Sequence, residues 1–226
     1  MQKSFENKQA AFLSALGADK AFDFKKRAFM MGNRKALFVY VIGYVNAYHT
    51  RNILGAAMGI GAERIENIPS LHGLAEKDLP FAETEIVFDP TDAANEVLRG
   101  SAALLVEGFE EFLIFDVRLF LLRGPEEPDN DRTLRGPHVG LNESMISNLV
   151  QIRRFLRTGE LETRRILLGE TAKTEIAVLS LRGRRNEKTL QKVCKRLETT
   201  KLPAISIHRI KIYICSILPV CCHTAE

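Results

Sequence analysis

The stretch between residues 111 and 154 constrains the fold of this 226-residue chain more than any other. It begins with an apolar, strand-like run at 111–122 and passes into a segment at 123–137 that holds three prolines and two glycines. An amphipathic helix is predicted to follow. Because proline and glycine interrupt regular structure, we interpret 123–137 as a connector between two structural units.

The connector divides the rest of the chain. We predict an N-terminal helix at 1–18, a first subdomain at 19–122, a second subdomain at 138–207 and a divergent tail at 208–226. Each subdomain is long enough to contribute to a buried core. Since both contain helical and strand patterns, the predicted fold class is α/β, with α+β as the alternative: two small mixed α/β subdomains joined by the Pro/Gly connector.

The first subdomain shows clear periodic and apolar signals. Glycines follow most of its predicted helices, as is typical of helix ends. Apolar and β-branched runs predict buried strands. The helix predicted at 4–16 belongs to the N-terminal segment at 1–18. The elements predicted in the first subdomain are a strand at 35–43, helices at 46–58 and 92–99, and a hairpin formed by 101–108 and 111–122.

The second subdomain is predicted to run helix, strand, strand, helix, strand. Its first helix spans 141–157, with Asn142 as the candidate N-cap and an apolar stripe at helical spacing. The stripe contains Leu141, Met145, Leu149, Ile152 and Leu156. The other predicted elements are strands at 164–170 and 173–181, a helix at 187–200 and a strand at 201–207.

The charge is divided unevenly along the chain. Residues 1–131 carry a net charge of −6, residues 132–196 carry +9 and residues 197–226 carry +1. This asymmetry is typical of two units that have different partners or that face each other. A basic half can bind phosphates, anionic lipid head groups or an acidic protein. The alternative is a solvated surface without a partner.

The sequence gives no support for an active site, a metal site or a cofactor. The five histidines are scattered, the four cysteines form no CxxC pair, and no G-x-S-x-G motif occurs. The glycine-rich stretch at 55–64 lacks the GK[ST] motif and follows a predicted helix, where a phosphate loop would follow a strand. We therefore expect a protein that is not an enzyme and binds no cofactor.

No secretory or membrane segment is predicted. The N-terminus lacks a long apolar core, and the apolar run at 210–222 is interrupted by Lys211 and Pro219. We expect reduced intracellular thiols and a chain that is soluble or peripheral to a membrane.

Arginines form the one polar group that favours a binding role. Those on the last turns of the 141–157 helix can be explained by the helix dipole alone. The alternatives are pairing with the acidic first unit or the connector, a surface that grips a partner's carboxylates or phosphates, and nucleic acid. No aromatic residues interleave the group, so nucleic acid is not expected. The group consists of Arg132, Arg135, Arg153, Arg154, Arg157, Arg164 and Arg165.

One motif resembles a known family. Its residues occur in one order and spacing, and they are Glu127, Pro128, Arg135, Gly136, Pro137, Gly140, Glu143, Asn148, Arg153 and Arg154. They resemble the A-subunit type of GerA-family spore germination proteins, which includes the SpoVAF-like branch. The resemblance covers roughly residues 13–207. It departs from the family pattern at Leu141, where the family usually has Phe, and at Gln151 and Phe155 around the double arginine.

The resemblance implies a function as well as a fold. It implies two joined α/β subdomains, no enzymatic activity, and a place on the core-facing side of the inner spore membrane. It also implies assembly with permease-like B subunits and lipoprotein C subunits, or with other A-type copies. The resemblance implies that the motif residues form an interface or a structural motif.

Family members normally continue into membrane-spanning helices, and contact with the membrane is expected only through those helices. We expect this chain to retain only the soluble N-terminal region, with the tail at 208–226 reflecting truncation or a frameshift. Its function is then a sensory or assembly domain of a germinant receptor. Two alternatives remain open: a small-ligand-binding module with a pocket between the subdomains, and an unrecognised enzyme.

Overall fold

The computed structural model of the chain describes residues 2–79, 83–119, 144–170, 173–200 and 214–215. The chain divides into two units. The first consists of Met1–Asp19 and Asp23–Gly159, and the second of Lys20–Phe22 and Glu160–Glu226. Helices are mixed with sheets whose strands pair mainly antiparallel, so the predicted mixed class is confirmed and its α+β form describes the fold best.

The first unit contains six helices and five strands among its described residues. The helices are α1 (Gln2–Leu16), α2 (Ala47–Gly59), α3 (Ala62–Glu66), α4 (Leu71–Asp78), α5 (Pro90–Arg99) and α6 (Met145–Phe155). The strands are β1 (Phe24–Met31), β2 (Arg34–Val41), β3 (Thr84–Val87), β4 (Ala102–Val106) and β5 (Phe112–Phe115). All neighbouring strands in this sheet are antiparallel, in the order β1-β2-β4-β5-β3.

The core of the first unit lies at the centre of this sheet. Every residue of β4 and β5 is buried, so both faces of these strands are covered. The ring of Phe12 on α1 packs 5.0 Å from that of Phe112, and Phe38 on β2 packs 6.0 Å from Phe115. Because side chains alternate across a strand, these two contacts lie on opposite faces.

The second unit is smaller and has its own core. It contains β6 (Leu161–Leu168), β7 (Thr174–Leu181), α7 (Glu187–Thr199) and the two-residue β8 (Ile214–Cys215). Strands β6 and β7 pair antiparallel, and β7 pairs with β8 in parallel. Leu190, Cys194 and Leu197 lie one turn apart on α7 and pack against the sheet.

Most predicted elements of the first unit are present. The helices predicted at 4–16, 46–58 and 92–99 correspond to α1, α2 and α5, and the predicted hairpin is formed by β4 and β5. Strands β1 and β3 were not predicted. Six of the eight residues of β1 are not buried, so the strand has no apolar run that would indicate it.

The helix predicted at 141–157 differs from the observed α6 in its start and in its unit. Asn142 as N-cap is wrong, because α6 begins at Met145 and the Ser144 hydroxyl accepts the Ser147 N–H at 3.3 Å. The observed division between units falls after Gly159, later than the predicted connector at 123–137, which lies outside the described residues.

Contacts to the end of β2 explain why α6 belongs to the first unit. Gly43 has φ +81°, and a Cβ at this position would lie 2.7 Å from Val150 Cγ2 and 2.9 Å from Ile146 Cγ2. The Tyr44 hydroxyl donates to the Val150 carbonyl at 3.5 Å. Residue 43 must therefore be glycine for two reasons. Its backbone is left-handed, and α6 approaches it too closely to leave room for a side chain.

We predict that Gly43→Ala destabilises the first unit by ~1–3 kcal/mol, the cost of a left-handed non-glycine residue and an overpacked contact. Gly55→Ala is the matched control: nothing lies within 4 Å of an added Cβ there, inside α2. This control should gain ~0.5–1 kcal/mol, because alanine favours a helix interior over glycine. Urea unfolding of both variants measures the difference, and equal stability would contradict the packing described for α6.

Candidate functional site

The structure describes only part of the predicted motif. Glu127, Pro128, Arg135, Gly136, Pro137, Gly140 and Glu143 lie outside the described residues. The other three residues, Asn148, Arg153 and Arg154, lie on α6, where Asn148 and Arg153 are buried and Arg154 is exposed.

Arg153 forms a buried ion pair with Asp23, the residue before β1. Its Nε donates to Asp23 Oδ2 at 2.6 Å and its Nη2 to Oδ1 at 3.0 Å, while the side chains are 0% and 1% exposed. The guanidinium also lies over the ring of Phe24, 4.7 Å from its centroid. This two-point geometry is the strongest form of an arginine–carboxylate contact. Arg153 is therefore buried within the first unit, where Asp23 and Phe24 contact its guanidinium.

The backbone positions Asp23 for this contact. The Asp23 carbonyl accepts the N–H of Ile42 at 2.8 Å, just beyond β2, so the residue is held at one end of the β1–β2 pair. The ion pair thus ties the last turn of α6 to the sheet. Arg153 also lies at the C-terminal end of α6, where a positive charge interacts favourably with the helix dipole.

Arg154 lies at a cationic cavity of about 250 Å³ in the first unit. Its Nη2 donates to the Leu119 carbonyl at 3.3 Å, and its guanidinium lies 5.7 Å from the ring centroid of Tyr44. Burial raises the pKa of Tyr44 to about 12, although the neighbouring arginines 153, 154 and 157 act to lower it. The tyrosine therefore stays neutral and serves as a wall of the cavity. The lining residues are Tyr44, Leu98, Arg99, Gly100, Arg118, Leu119, Arg154 and Arg157.

A larger cavity of about 560 Å³ lies between α2 and the β1–β2 pair. Its wall includes the apolar residues Ile42, Val45, Leu54 and Met58. None of its lining residues is an acid, a histidine or a cysteine. Lys25, Tyr40, Thr50 and Arg51 supply its polar groups, and the mainly apolar lining suits binding.

A buried carboxylate organises the second unit. Glu162 on β6 is 1% exposed and pairs with Arg185, with Arg182 Nε at 3.1 Å and with Lys20 Nζ at 3.7 Å. Burial acts to raise the pKa of Glu162, but hydrogen bonds from Arg185 and Arg182 outweigh it and hold the pKa below its ordinary value of 4.5. The Arg185 guanidinium also donates to the Ser180 hydroxyl at 3.2 Å, which joins β7 to the cluster.

The predicted arginine group is divided between the units. Arg153, Arg154 and Arg157 belong to the first unit, whereas Arg164 and Arg165 lie on β6 in the second. Arg165 pairs with Glu175 across β6 and β7 at 3.3 Å. Arg132 and Arg135 lie outside the described residues.

Two further observations concern the part of the chain that the structure describes. No group of three or more His, Cys, Asp or Glu residues there could hold a metal ion. No helix there combines the length and the apolar character that a membrane span requires.

The sequence profile described as Bacillus/Clostridium GerA spore germination protein matches residues 12–216. The chain belongs to the GerA family. The match includes residues 208–216, the first nine residues of the tail predicted as divergent at 208–226.

Individual relatives support this assignment. Spore germination protein KA of Bacillus subtilis (strain 168) is 29% identical over 143 residues, which are 63% of this chain and 26% of that protein. Stage V sporulation protein AF of the same organism is 27% identical over 167 residues, or 74% of this chain and 34% of that protein. The chain thus spans about a quarter to about a third of the length of these curated relatives.

A solved structure shares the fold. The crystal structure of the N-terminal domain of the A subunit of the Bacillus megaterium spore germinant receptor GerK3 matches with a TM-score of 0.63 at 19% identity. The match covers 85% of this chain and 70% of that chain. At this identity the likeness concerns the fold alone.

Sequence reasoning selected Arg153 of this GerA-family chain but missed its partner. Asp23 stands between Phe22 and Phe24, and a single acid flanked by two phenylalanines is a signal for a buried charge. Arg99 and Arg118 were also missed, because only the fold brings them beside Arg154.

We predict that Asp23→Leu destabilises the first unit by ~3–5 kcal/mol, because it leaves the Arg153 charge buried without its carboxylate. Adding Arg153→Met should recover most of this loss, since an apolar pair can replace a buried ion pair. Guanidinium unfolding of the single and double variants gives the coupling energy. Additive losses would show that the two residues are not coupled.

Asp78→Leu provides the matched control for that cycle. Arg64 and Asp78 form the same type of pair in the same unit, with Arg64 Nη2 at 2.8 Å from Oδ2, but the side chains are 44% and 21% exposed. Exposed ion pairs contribute little to stability. This control should therefore lose only a small fraction of what Asp23→Leu loses.

We predict that the second unit loses stability in acid through Glu162. In the unfolded chain this carboxyl has its ordinary pKa of 4.5, and in the folded chain its pKa is lower. The unfolded state binds the proton first as the pH falls. The contribution of Glu162 is therefore complete above about pH 4.5 and is lost as the pH falls through the folded pKa.

Amide hydrogen exchange of β6 and β7 between pH 7 and pH 3 measures this effect. Glu162→Gln should exchange faster than the wild type at neutral pH, and the difference should shrink below pH 4.5. Glu175→Gln, which removes an exposed carboxylate on β7, should follow the wild type. A constant difference between Glu162→Gln and the wild type across this range would contradict the prediction.

Proposed function

We propose that this chain acts in spore germination as the N-terminal part of an A-type germinant receptor subunit, through subunit assembly or signal coupling and not through catalysis. The observation that carries the proposal is the family match over residues 12–216, joined to the shared fold with an A-subunit N-terminal domain. The proposed partners are permease-like B subunits, lipoprotein C subunits or other A-type copies. The proposed location is the core-facing side of the inner spore membrane.

The two arginines of the motif have different roles in this proposal. Arg153 is buried against Asp23 and maintains the position of α6. Arg154 is the next residue, and its guanidinium is exposed at the end of the same helix. An arginine that presents a planar guanidinium on a rigid helix is well suited to a carboxylate on a partner protein. We therefore assign partner contact to Arg154 and the supporting role to Arg153.

We expect Arg154→Ala to weaken capture of B and C subunits by about tenfold, which corresponds to ~1.4 kcal/mol. The measurement is co-purification of the chain with the B and C subunits over a range of concentrations. Arg51→Ala is the matched control, because Arg51 is also exposed in the first unit and also lies over a tyrosine ring, that of Tyr48 at 5.8 Å.

Thermal unfolding must first show that both variants are folded. Equal capture of the wild type and Arg154→Ala would remove this residue from the interface. Arg153→Ala is not informative in this assay, because loss of the buried ion pair would change folding and binding together.

A further inference from the structure

Four arginines from distant parts of the chain line the cavity beside Arg154. Arg99 lies at the end of α5, Arg118 follows β5, Arg154 is on the last turn of α6 and Arg157 follows that helix. All four belong to the first unit. Like charges repel one another, and although water weakens this repulsion at exposed side chains, an opposite charge beside them is favourable.

Carboxylates of the chain compensate two of the four charges. Arg99 pairs with Glu96, one turn earlier on α5. Arg118 pairs with Asp116 through two nitrogens, with Nε 2.7 Å from Oδ1, and these hydrogen bonds lower the pKa of Asp116.

The other two arginines contact backbone carbonyls. Arg154 Nη2 donates to Leu119 O at 3.3 Å, and Arg157 Nε donates to Arg154 O at 3.1 Å. Among the described residues neither has an ion pair with a carboxylate. The cavity therefore carries an excess of two positive charges within the described part of the chain.

The backbone around the cavity is fixed. Leu119 N–H donates to the Tyr44 carbonyl at 2.6 Å, which joins two walls. Gly100 has φ +117°, and a Cβ there would lie 3.0 Å from Arg118 Cγ and 3.5 Å from Tyr44 Cδ2. The absence of a side chain at Gly100 leaves space for the side chains of Arg118 and Tyr44. The arginines are thus presented by a preorganised frame, which reduces the entropy lost on binding.

We propose that this cavity binds a small oxyanion carrying two negative charges, such as a phosphate or a short dicarboxylate. Guanidinium groups recognise the paired oxygens of these anions through two parallel hydrogen bonds. The volume of about 250 Å³ is below the ~300–1,000 Å³ of pockets for drug-sized ligands, so the occupant is a small ion. This site lies within one chain, and its occupation requires no receptor partner.

The test is isothermal titration of the full chain with inorganic phosphate and, separately, with malonate. Ionic strength is held constant with sodium chloride, because exposed charges are screened by salt. The wild type should bind at least one of the two anions, and the pair of titrations distinguishes phosphate from carboxylate recognition. The double variant Arg154→Gln/Arg157→Gln should bind at least tenfold more weakly.

Two further variants make the result decisive. Arg27→Gln/Arg51→Gln removes the same charge from exposed positions elsewhere in the first unit, and it should bind like the wild type. Asp116→Asn removes the carboxylate that engages Arg118, and it should bind several-fold more tightly. A gain in affinity cannot come from misfolding. Absence of binding by the wild type, or equal loss in both arginine double variants, would overturn the proposal without affecting the capture of receptor subunits.

Discussion

The buried pair between Arg153 and Asp23 sets the orientation of α6, and the polar surface beside that helix depends on it. A helix turns by roughly 100° per residue, so fixing Arg153 against the sheet directs Arg154 away from it. Arg157 lies beyond the end of α6, and its Nε donates to the Arg154 carbonyl at 3.1 Å. An apolar pair at these positions could be as stable as the ion pair. The two-point contact adds direction, because a guanidinium and a carboxylate meet in few orientations. We infer that the pair fixes the rotation of α6 more than it adds to stability.

The sequence predicted the elements whose apolar residues follow one period, and it failed where a buried charge interrupts that period. Strands β4 and β5 are continuous apolar runs, and α5 and α7 have capping residues and one buried face. In α6 the predicted stripe contained Ile152, but the buried face contains Asn148 and Arg153 instead, and Phe155 is 72% exposed. Periodicity counts apolar side chains and cannot anticipate that an arginine will meet a carboxylate 130 residues earlier in the chain.

Only those residues of the candidate site that belong to a local sequence motif were predicted. The resemblance selected Arg153 and Arg154 because they are adjacent in one motif. Arg99 and Arg118 carry no local signal, since each stands near an acid and looks like an ordinary surface ion pair. They reach Arg154 because β4 follows α5 directly and pairs antiparallel with β5, so that the start of β4 and the end of β5 lie at the same end of the sheet. Such convergence follows from topology, which single-sequence patterns do not specify.

The observed division also changes the meaning of the charge asymmetry. The first unit holds 18 basic and 21 acidic residues, a net charge of −3, and the second holds 14 and 7, a net charge of +7. The cationic cavity therefore belongs to the acidic unit. At physiological salt, charges act over ~8 Å, so the net charge of this unit gives an approaching anion no long-range attraction. Any affinity of the cavity for an anion must then come from direct contact with the guanidinium groups. This affinity depends on the backbone and side chains that position them, namely Tyr44, Gly100 and α6, more than on the number of arginines in the unit.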